Sequence, residues 1–150
     1  MNQAPTPSEE PIKQVRVLLA DDHFGVRQSL KRILSSEFLV VGAFADGTAL
    51  LRGVAELSPD VVVVDVSMPE VDGFTVLRQL KDNGFEVKVI LISAFYEPSI
   101  VQIALQAGAS GFVSKYAAYE DLIPAVRAAL DGKVYTSSLI KNKPTASPRL

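Results

Sequence analysis

Two apolar runs of this sequence end at carboxylates. Asp21 and Asp22 come directly after the run VRVLLA at 15–20, and Asp65 ends the run VVVVD at 61–65. Four consecutive valines suit a strand that is buried on both faces. A charge at the end of such a strand costs free energy unless something compensates it. The rest of the sequence has to provide that partner.

Two further polar residues occupy the same kind of position. Ser93 closes the run VKVILIS at 87–93, and Lys115 closes the run GFVSK at 111–115. A lysine ammonium is a point charge suited to a phosphate oxygen, and a serine hydroxyl can donate a hydrogen bond to one. The residue types that end these strands are therefore those that a phosphoryl-transfer site needs.

The elements that must position these residues alternate between strand and helix. Apolar residues at helical spacing follow each apolar run. Asp46 and the pair Asp72-Gly73 are predicted to open helices, Pro98 to lie in a first turn, and Gly132 to end the last helix. The predicted strands cover 15–20, 38–45, 61–65, 87–93 and 111–115.

Five β-α units of this kind predict an α/β fold. We expect a flavodoxin-like (βα)5 three-layer sandwich with parallel strand order 2-1-3-4-5. Ligands of such sheets bind beyond the carboxyl ends of the strands, where the strand order reverses. The chain should therefore form one folded domain over 14–136, between a flexible leader at 1–13 and a linker or tail at 137–150.

Composition excludes several classes of protein. The 150 residues include no cysteine, which excludes a disulfide framework and a thiolate metal site. The net charge is −2, which excludes a protein that coats nucleic acid through general charge attraction. No apolar stretch approaches the roughly 20 residues that span a bilayer. We expect a cytoplasmic protein without membrane contact.

In that fold the first and third strands are neighbours, so Asp21, Asp22 and Asp65 should converge. Carboxylates that close repel one another unless a cation stands among them. Oxygen ligands with room for water suit Mg²⁺, which also meets phosphate oxygens. We therefore predict a Mg²⁺ site, with Asp65 as the nucleophile that becomes an aspartyl phosphate and Lys115 and Ser93 around it.

The blocks LLADDH, VVVVDVSMPEVDGF, VILISAF and ALQAGASGFVSK resemble the signature blocks of response-regulator receiver domains. The resemblance runs from Val15 to about Thr136. It implies that Asp21 and Asp22 are the acidic metal-binding pair, Asp65 the phosphoacceptor and Ser93 the switch hydroxyl. It further implies that Lys115 is the invariant lysine, Phe112 the switch aromatic, and Ser67 the residue whose backbone carbonyl binds the metal.

The segment AAYEDLIPAVRAALDGKVYTS is similar to the NarL/FixJ (LuxR-type) subfamily, which joins its receiver to a helix-turn-helix DNA-binding domain. The resemblance implies a sensor histidine kinase as phosphoryl donor, a transcriptional output, and homodimerisation on phosphorylation as an option. It implies that the domain is not an enzyme and catalyses only its own phosphorylation and dephosphorylation. DNA binding would need a C-terminal domain that is absent from this chain; we expect that domain to have been truncated away, and a receiver that stands alone is the alternative.

Two residues depart from the receiver pattern. Tyr116 follows the lysine where most receivers have a proline after a cis peptide bond, so the geometry of the Lys115–Tyr116 bond stays open. Pro124 falls within the last helix, where it removes a backbone donor and clashes with the preceding turn. We predict a kink or a late helix start at Pro124.

Other interpretations compete with these. An FMN electron carrier would need a loop rich in Ser, Thr and Gly after the first strand, and a haloacid-dehalogenase-like hydrolase would need an aspartate where Ser67 stands. A receiver-like interaction module that is never phosphorylated is the main alternative. His23 is expected in the first turn of a helix rather than as a metal ligand, and Phe112 can be a core aromatic or a switch.

Overall fold

Strands and helices alternate along residues 14–137, the part of the chain that this computed structural model describes. The strands are β1 (Arg16–Ala20), β2 (Leu39–Phe44), β3 (Val61–Asp65), β4 (Lys88–Ser93), β5 (Gly111–Ser114) and β6 (Tyr135–Thr136). The helices are α1 (Phe24–Ser35), α2 (Gly47–Leu57), α3 (Gly73–Asp82), α4 (Pro98–Gln106) and α5 (Ala118–Leu130), and a 3-10 turn covers Lys115–Ala117.

All six strands form one parallel sheet in the order β2-β1-β3-β4-β5-β6. This confirms the predicted flavodoxin-like order 2-1-3-4-5. One apolar core packs α2, α3 and α4 against one face of the sheet, and a second core packs α1 and α5 against the other. The β3 valines are fully buried between these two layers, as a run without polar alternation requires.

The helix starts predicted at Asp46, Asp72 and Pro98 are confirmed. Asp46 caps α2 by accepting a 2.8 Å hydrogen bond from the Ala49 amide, and Asp72 caps α3 in the same way. Pro98 is the first residue of α4. His23 is the N-cap of α1 rather than a residue of its first turn: its Nδ1 accepts a hydrogen bond from the backbone N–H of Val26.

The last helix differs from its prediction. Helix α5 is continuous from Ala118 to Leu130 with Pro124 inside it, so the predicted late start is wrong, while a kink stays a prediction. The proline lacks the N–H that would bond to the carbonyl of Glu120. Both residues are exposed, so water can bind that carbonyl. The peptide bonds of the described residues, Lys115–Tyr116 included, are all trans.

The sixth strand was not predicted. The backbone N–H of Tyr135 donates to Ser110 and that of Ser137 donates to Phe112, each at 3.1 Å, which adds β6 to the free edge of β5. The predicted leader at 1–13 lies outside the described residues, and so does the predicted tail apart from the buried Ser137. Within 14–137 no helix is long and apolar enough to cross a bilayer.

Candidate functional site

Two buried carboxylates meet at the carboxyl edge of the sheet. Asp65 is the last residue of β3, and Asp21 directly follows β1, the neighbouring strand. Register brings the strand ends level, because Ala20 lies opposite Val64. The exposed fractions are 0% for Asp21 and 2% for Asp65. Two charges this deep need compensation from the protein or from a bound cation.

Lys115 provides that compensation within the chain. Its Nζ lies 2.8 Å from Oδ2 of Asp21 and 2.9 Å from Oδ2 of Asp65. The contact with Asp65 is a well-aligned hydrogen bond, whereas Asp21 Oδ2 has a close ion pair but no aligned hydrogen bond. Lys115 reaches both carboxylates because β5 ends one residue earlier, at Ser114, on the same edge of the sheet.

Burial and charge shift the pKa values of this pair. Burial raises the pKa of Asp65 above its ordinary value, although the Lys115 ammonium and the Ser67 amide act against it. Burial by itself would lower the pKa of Lys115. The hydrogen bond to Asp65 and the close negative charges of Asp21 and Asp65 outweigh that effect, and the lysine pKa is raised. Lys115 is therefore a cation beside Asp65 and can bind an anionic group there.

Backbone amides orient the carboxylates. The N–H of His23 donates to Oδ1 of Asp21 at 2.9 Å, and the N–H of Ser67 donates to Oδ1 of Asp65 at 3.1 Å. Asp22, in contrast, is exposed, and its carboxylate makes no hydrogen bond or ion pair within residues 14–137. The carboxylates of Asp21 and Asp65 are therefore held by the backbone, whereas that of Asp22 is not.

The three carboxylates form a group that fits a divalent cation. One oxygen from each of Asp21, Asp22 and Asp65 lies within 4.8 Å of the others. Asp21 Oδ2 is buried and lacks an aligned hydrogen bond, so it retains a lone pair for a ligand. Carboxylate ligands with one open side suit Mg²⁺, which keeps several of its waters. The donor set therefore fits the predicted metal.

The switch candidates lie where the strand pattern predicted, but their contacts were not foreseen. Ser93 ends β4 and is 2% exposed. Its hydroxyl donates to the carbonyl of Phe95 at 2.5 Å and accepts from the amide of Phe95 at 3.0 Å. The hydroxyl is thus engaged within the β4–α4 loop rather than with Asp65 or Lys115. Phe95 itself is 80% exposed.

Phe112 is fully buried in β5 and belongs to the core on the α2–α4 side of the sheet. In this conformation it is a core aromatic, and its role as a switch stays a prediction. Ser67 is exposed, two residues after Asp65. A metal contact through its carbonyl also stays a prediction.

One residue that holds the site was not singled out from the sequence. Arg27, in α1, donates from Nη1 to the backbone carbonyl of Asp21 at 2.8 Å. Its guanidinium lies over the Phe24 ring, 5.4 Å from the ring centroid. No motif marks an arginine for such a contact, because the acceptor is a main-chain oxygen.

These features define a class of protein: a flavodoxin-like α/β domain with an acidic cluster and a lysine at the switch point of its sheet. The sequence profile of the response regulator receiver domain matches residues 17–127. The transcriptional regulatory protein DegU of Brevibacillus brevis is 35% identical over 135 residues, which cover 85% of this chain and 57% of DegU. The chain belongs to the response-regulator receiver family.

Solved structures show the same relationship. The signal receiver domain of the response regulator NarL from Mycobacterium tuberculosis is 37% identical, with a TM-score of 0.77 over 81% of this chain and 100% of that one. The isolated REC domain of RcsB from Salmonella enterica serovar Typhimurium, studied with phosphomimetic BeF3⁻, is 30% identical, with a TM-score of 0.78 over 86% of this chain and 97% of that one. These neighbours are of the NarL/LuxR type, as the sequence predicted. The chain spans about half to three fifths of the length of the curated relatives it matches.

Proposed function

We propose that this chain is a receiver that accepts a phosphoryl group on Asp65 from a phosphohistidine of a sensor histidine kinase, in a reaction that requires Mg²⁺. The observation that carries the proposal is the position of Asp65: its carboxylate lies 2.9 Å from a lysine ammonium and within 4.8 Å of two further carboxylates. That arrangement offers a nucleophile, a cation site and a positive charge at one point.

The transfer forms one bond and breaks one. A carboxylate oxygen of Asp65 attacks phosphorus, and the bond from phosphorus to the donor nitrogen breaks with its electron pair leaving on the imidazole. Lys115, already 2.9 Å from Asp65, neutralises charge on the transferred group. The carboxylates of Asp21 and Asp65 raise the pKa of Lys115, so the side chain is a cation when the phosphoryl donor arrives.

Asp21, Asp22 and Asp65 would hold the metal, and the carbonyl of Ser67 is the proposed fourth protein ligand. When bound, Mg²⁺ offsets the negative charge that accumulates as phosphate and carboxylate approach each other. The chain's own contribution is orientation. The His23 amide fixes Asp21, and the Ser67 amide fixes Asp65, so neither carboxylate has to reorganise on binding.

Ser93 would couple phosphorylation of Asp65 to a change in the β4–α4 loop. Its hydroxyl has to leave the Phe95 carbonyl before it can donate to a phosphoryl oxygen on Asp65. The β4–α4 loop would then rearrange, and Phe112 would move with it if it acts as a switch. The new charge is local, and the loop is the element whose two arrangements it would bias.

The output we propose is transcriptional. The relatives include a protein named a transcriptional regulatory protein, and this chain matches a little more than half of its length. DNA contact would require the helix-turn-helix domain expected beyond the receiver, and homodimerisation on phosphorylation is the accompanying proposal. The domain itself would catalyse nothing beyond its own phosphorylation and dephosphorylation.

Intact-protein mass after incubation with acetyl phosphate tests the proposal. The expected result is a gain of one phosphoryl group in the presence of Mg²⁺, lost with EDTA and absent in Asp65→Asn. Asp82→Asn, a matched change at an exposed residue of α3, should be phosphorylated normally. No gain in wild-type protein that is folded and binds Mg²⁺ would overturn the proposal and favour the interaction module that is never phosphorylated.

A further inference from the structure

We infer that Arg27 is a positioning residue for the metal-binding pair: it holds the peptide that joins Asp21 to Asp22 and thereby presets the direction of Asp22. The inference rests on the proposed function, because it concerns how readily the acidic site takes its cation. Arg27 touches neither a carboxylate oxygen nor the phosphoacceptor in the contacts that the structure shows.

The first step is the geometry of the Asp21–Asp22 peptide. The N–H of Asp21, in the preceding peptide, donates to the carbonyl of Phe44 at 3.0 Å, which ties the start of Asp21 to β2. The carbonyl of Asp21, in the Asp21–Asp22 peptide itself, accepts a hydrogen bond from Nη1 of Arg27 at 2.8 Å, from α1. The plane of this second peptide is therefore held by a side chain from outside the sheet, and a peptide plane fixes the direction in which the next residue leaves.

The second step is that Asp22 has little else to fix it. Its side chain is exposed and makes no hydrogen bond or ion pair within the described part of the chain. Asp21 and Asp65, by contrast, are held by the His23 and Ser67 amides and by Lys115. The carboxylate with the most conformational freedom is thus the one whose backbone Arg27 restrains. Restraint before binding reduces the entropy lost on binding.

The third step is that Arg27 is itself held in place. Its guanidinium lies over the Phe24 ring at 5.4 Å from the centroid, although that ring is 67% exposed. A planar guanidinium can stack and donate at once, which a lysine ammonium cannot do in the same way. The exposed aromatic and the arginine thus form a brace between α1 and the end of β1.

A metal titration of the whole chain tests the inference. Arg27→Gln should weaken Mg²⁺ binding by roughly tenfold, the low end of the 10- to 100-fold cost of losing a group that supports a metal ligand. Arg32→Gln removes the same charge from an exposed position on the same helix and serves as the matched control. Arg27→Lys should fall between wild type and Arg27→Gln, and so should Phe24→Ala.

Three readouts separate positioning from a merely structural role. Arg27→Gln should raise the Mg²⁺ concentration needed for half-maximal phosphorylation by acetyl phosphate, with the rate at saturating Mg²⁺ nearly unchanged. The ¹⁵N chemical shift of the Asp22 amide should move, because its peptide loses a hydrogen bond, while the metal-free protein should lose no more stability relative to Arg32→Gln than the loss of one hydrogen bond explains.

The outcomes are distinguishable. If Arg27→Gln and Arg32→Gln lost the same Mg²⁺ affinity, the change in net charge would explain the loss, and the inference would be overturned. Unchanged Mg²⁺ affinity in Arg27→Gln, with wild type phosphorylated normally, would also overturn it and leave the proposed function intact. Wild-type protein that binds no Mg²⁺ would contradict the proposed function itself.

Discussion

The Nζ atom of Lys115 lies 2.9 Å from Oδ2 of Asp65, although fifty positions separate the two residues in the chain. The same ammonium lies 2.8 Å from Asp21, so one cation serves two buried carboxylates. An incoming cation or phosphoryl group would change this pairing. The stability of the domain and its proposed chemistry therefore depend on the same three charges.

The first prediction concerns that shared cation. Lys115→Gln should lower the free energy of unfolding in EDTA by about 1–3 kcal/mol, because it leaves two buried carboxylates without their cation. Mg²⁺ should restore part of the loss, since a ligand that binds only the folded state stabilises it. Urea unfolding in EDTA and in Mg²⁺ measures both effects. Lys31→Gln, exposed on α1, is the control, and equal behaviour of the two variants would contradict the prediction.

The second prediction separates metal binding from stability. Asp22→Asn should weaken Mg²⁺ binding by at least about tenfold, since even groups that only support a metal ligand cost that much when removed. In EDTA the variant should be as stable as wild type or slightly more stable, because it removes one of three like charges and breaks no contact. Calorimetric titration and unfolding in EDTA test the two halves. A marked loss of stability without metal would show that Asp22 has a structural partner.

The third prediction concerns the hydroxyl at the end of β4. Ser93→Ala should leave phosphorylation by acetyl phosphate largely intact and cost about 0.5–1.5 kcal/mol of stability, the ordinary worth of a hydrogen bond. It should abolish the phosphorylation-dependent amide shifts of residues 94–97, because nothing then draws the loop toward Asp65. Ser93→Thr keeps the hydroxyl and should keep the shifts. If Ser93→Ala showed the wild-type shifts, the switch role would have to be abandoned.

The fourth prediction is a pH dependence far from the acidic site. The Tyr135 hydroxyl donates to Oδ1 of Asp121 at 2.8 Å, and Asp121 is buried. Burial, this hydrogen bond and the carboxylate charge raise the pKa of Tyr135 to about 12. The folded protein thus holds that proton more tightly than the unfolded chain, whose tyrosines titrate near pH 10. The stabilisation is complete below about pH 10 and lost as pH rises through about 12.

Tyr135→Phe should remove this part of the pH dependence and lower stability at neutral pH by about 1–3 kcal/mol, since a buried carboxylate loses its donor. Unfolding followed from pH 8 to 12 measures the effect. Tyr119→Phe, at a tyrosine that is 83% exposed, should retain the wild-type curve. A Tyr135→Phe curve parallel to that of wild type above pH 10 would contradict the assignment.

Sequence patterns predicted the strands and most helix ends because these depend on neighbouring residues. Buried runs of β-branched residues specify strands, Asp46 and Asp72 cap the helices that follow them, and Gly132 adopts a φ of +76° just beyond α5. Parallel connectivity then brings strand ends to one edge of the sheet. The convergence of Asp21, Asp65 and Lys115 was therefore predictable without coordinates.

The short sixth strand and the uninterrupted last helix were not predictable in this way. A strand of two residues, Tyr135–Thr136, has too little pattern to be recognised, and it forms because β5 offers a free edge. Pro124 is tolerated inside α5 because it is exposed, as is Glu120, the residue whose carbonyl a non-proline residue at 124 would bond. Both outcomes depend on what surrounds the residue and not on its type.

The sequence by itself determined the fold, the acidic edge and the residues able to carry phosphoryl chemistry, because hydrophobic pattern and strand connectivity are written locally along the chain. Only the tertiary structure decided which atoms meet. In that structure Lys115 forms ion pairs with two carboxylates, and the Ser93 hydroxyl donates a hydrogen bond within the β4–α4 loop. Arg27 donates a hydrogen bond to the carbonyl of Asp21. Such contacts depend on side-chain direction and packing across distant elements, where differences of less than 1 Å separate a hydrogen bond from no interaction.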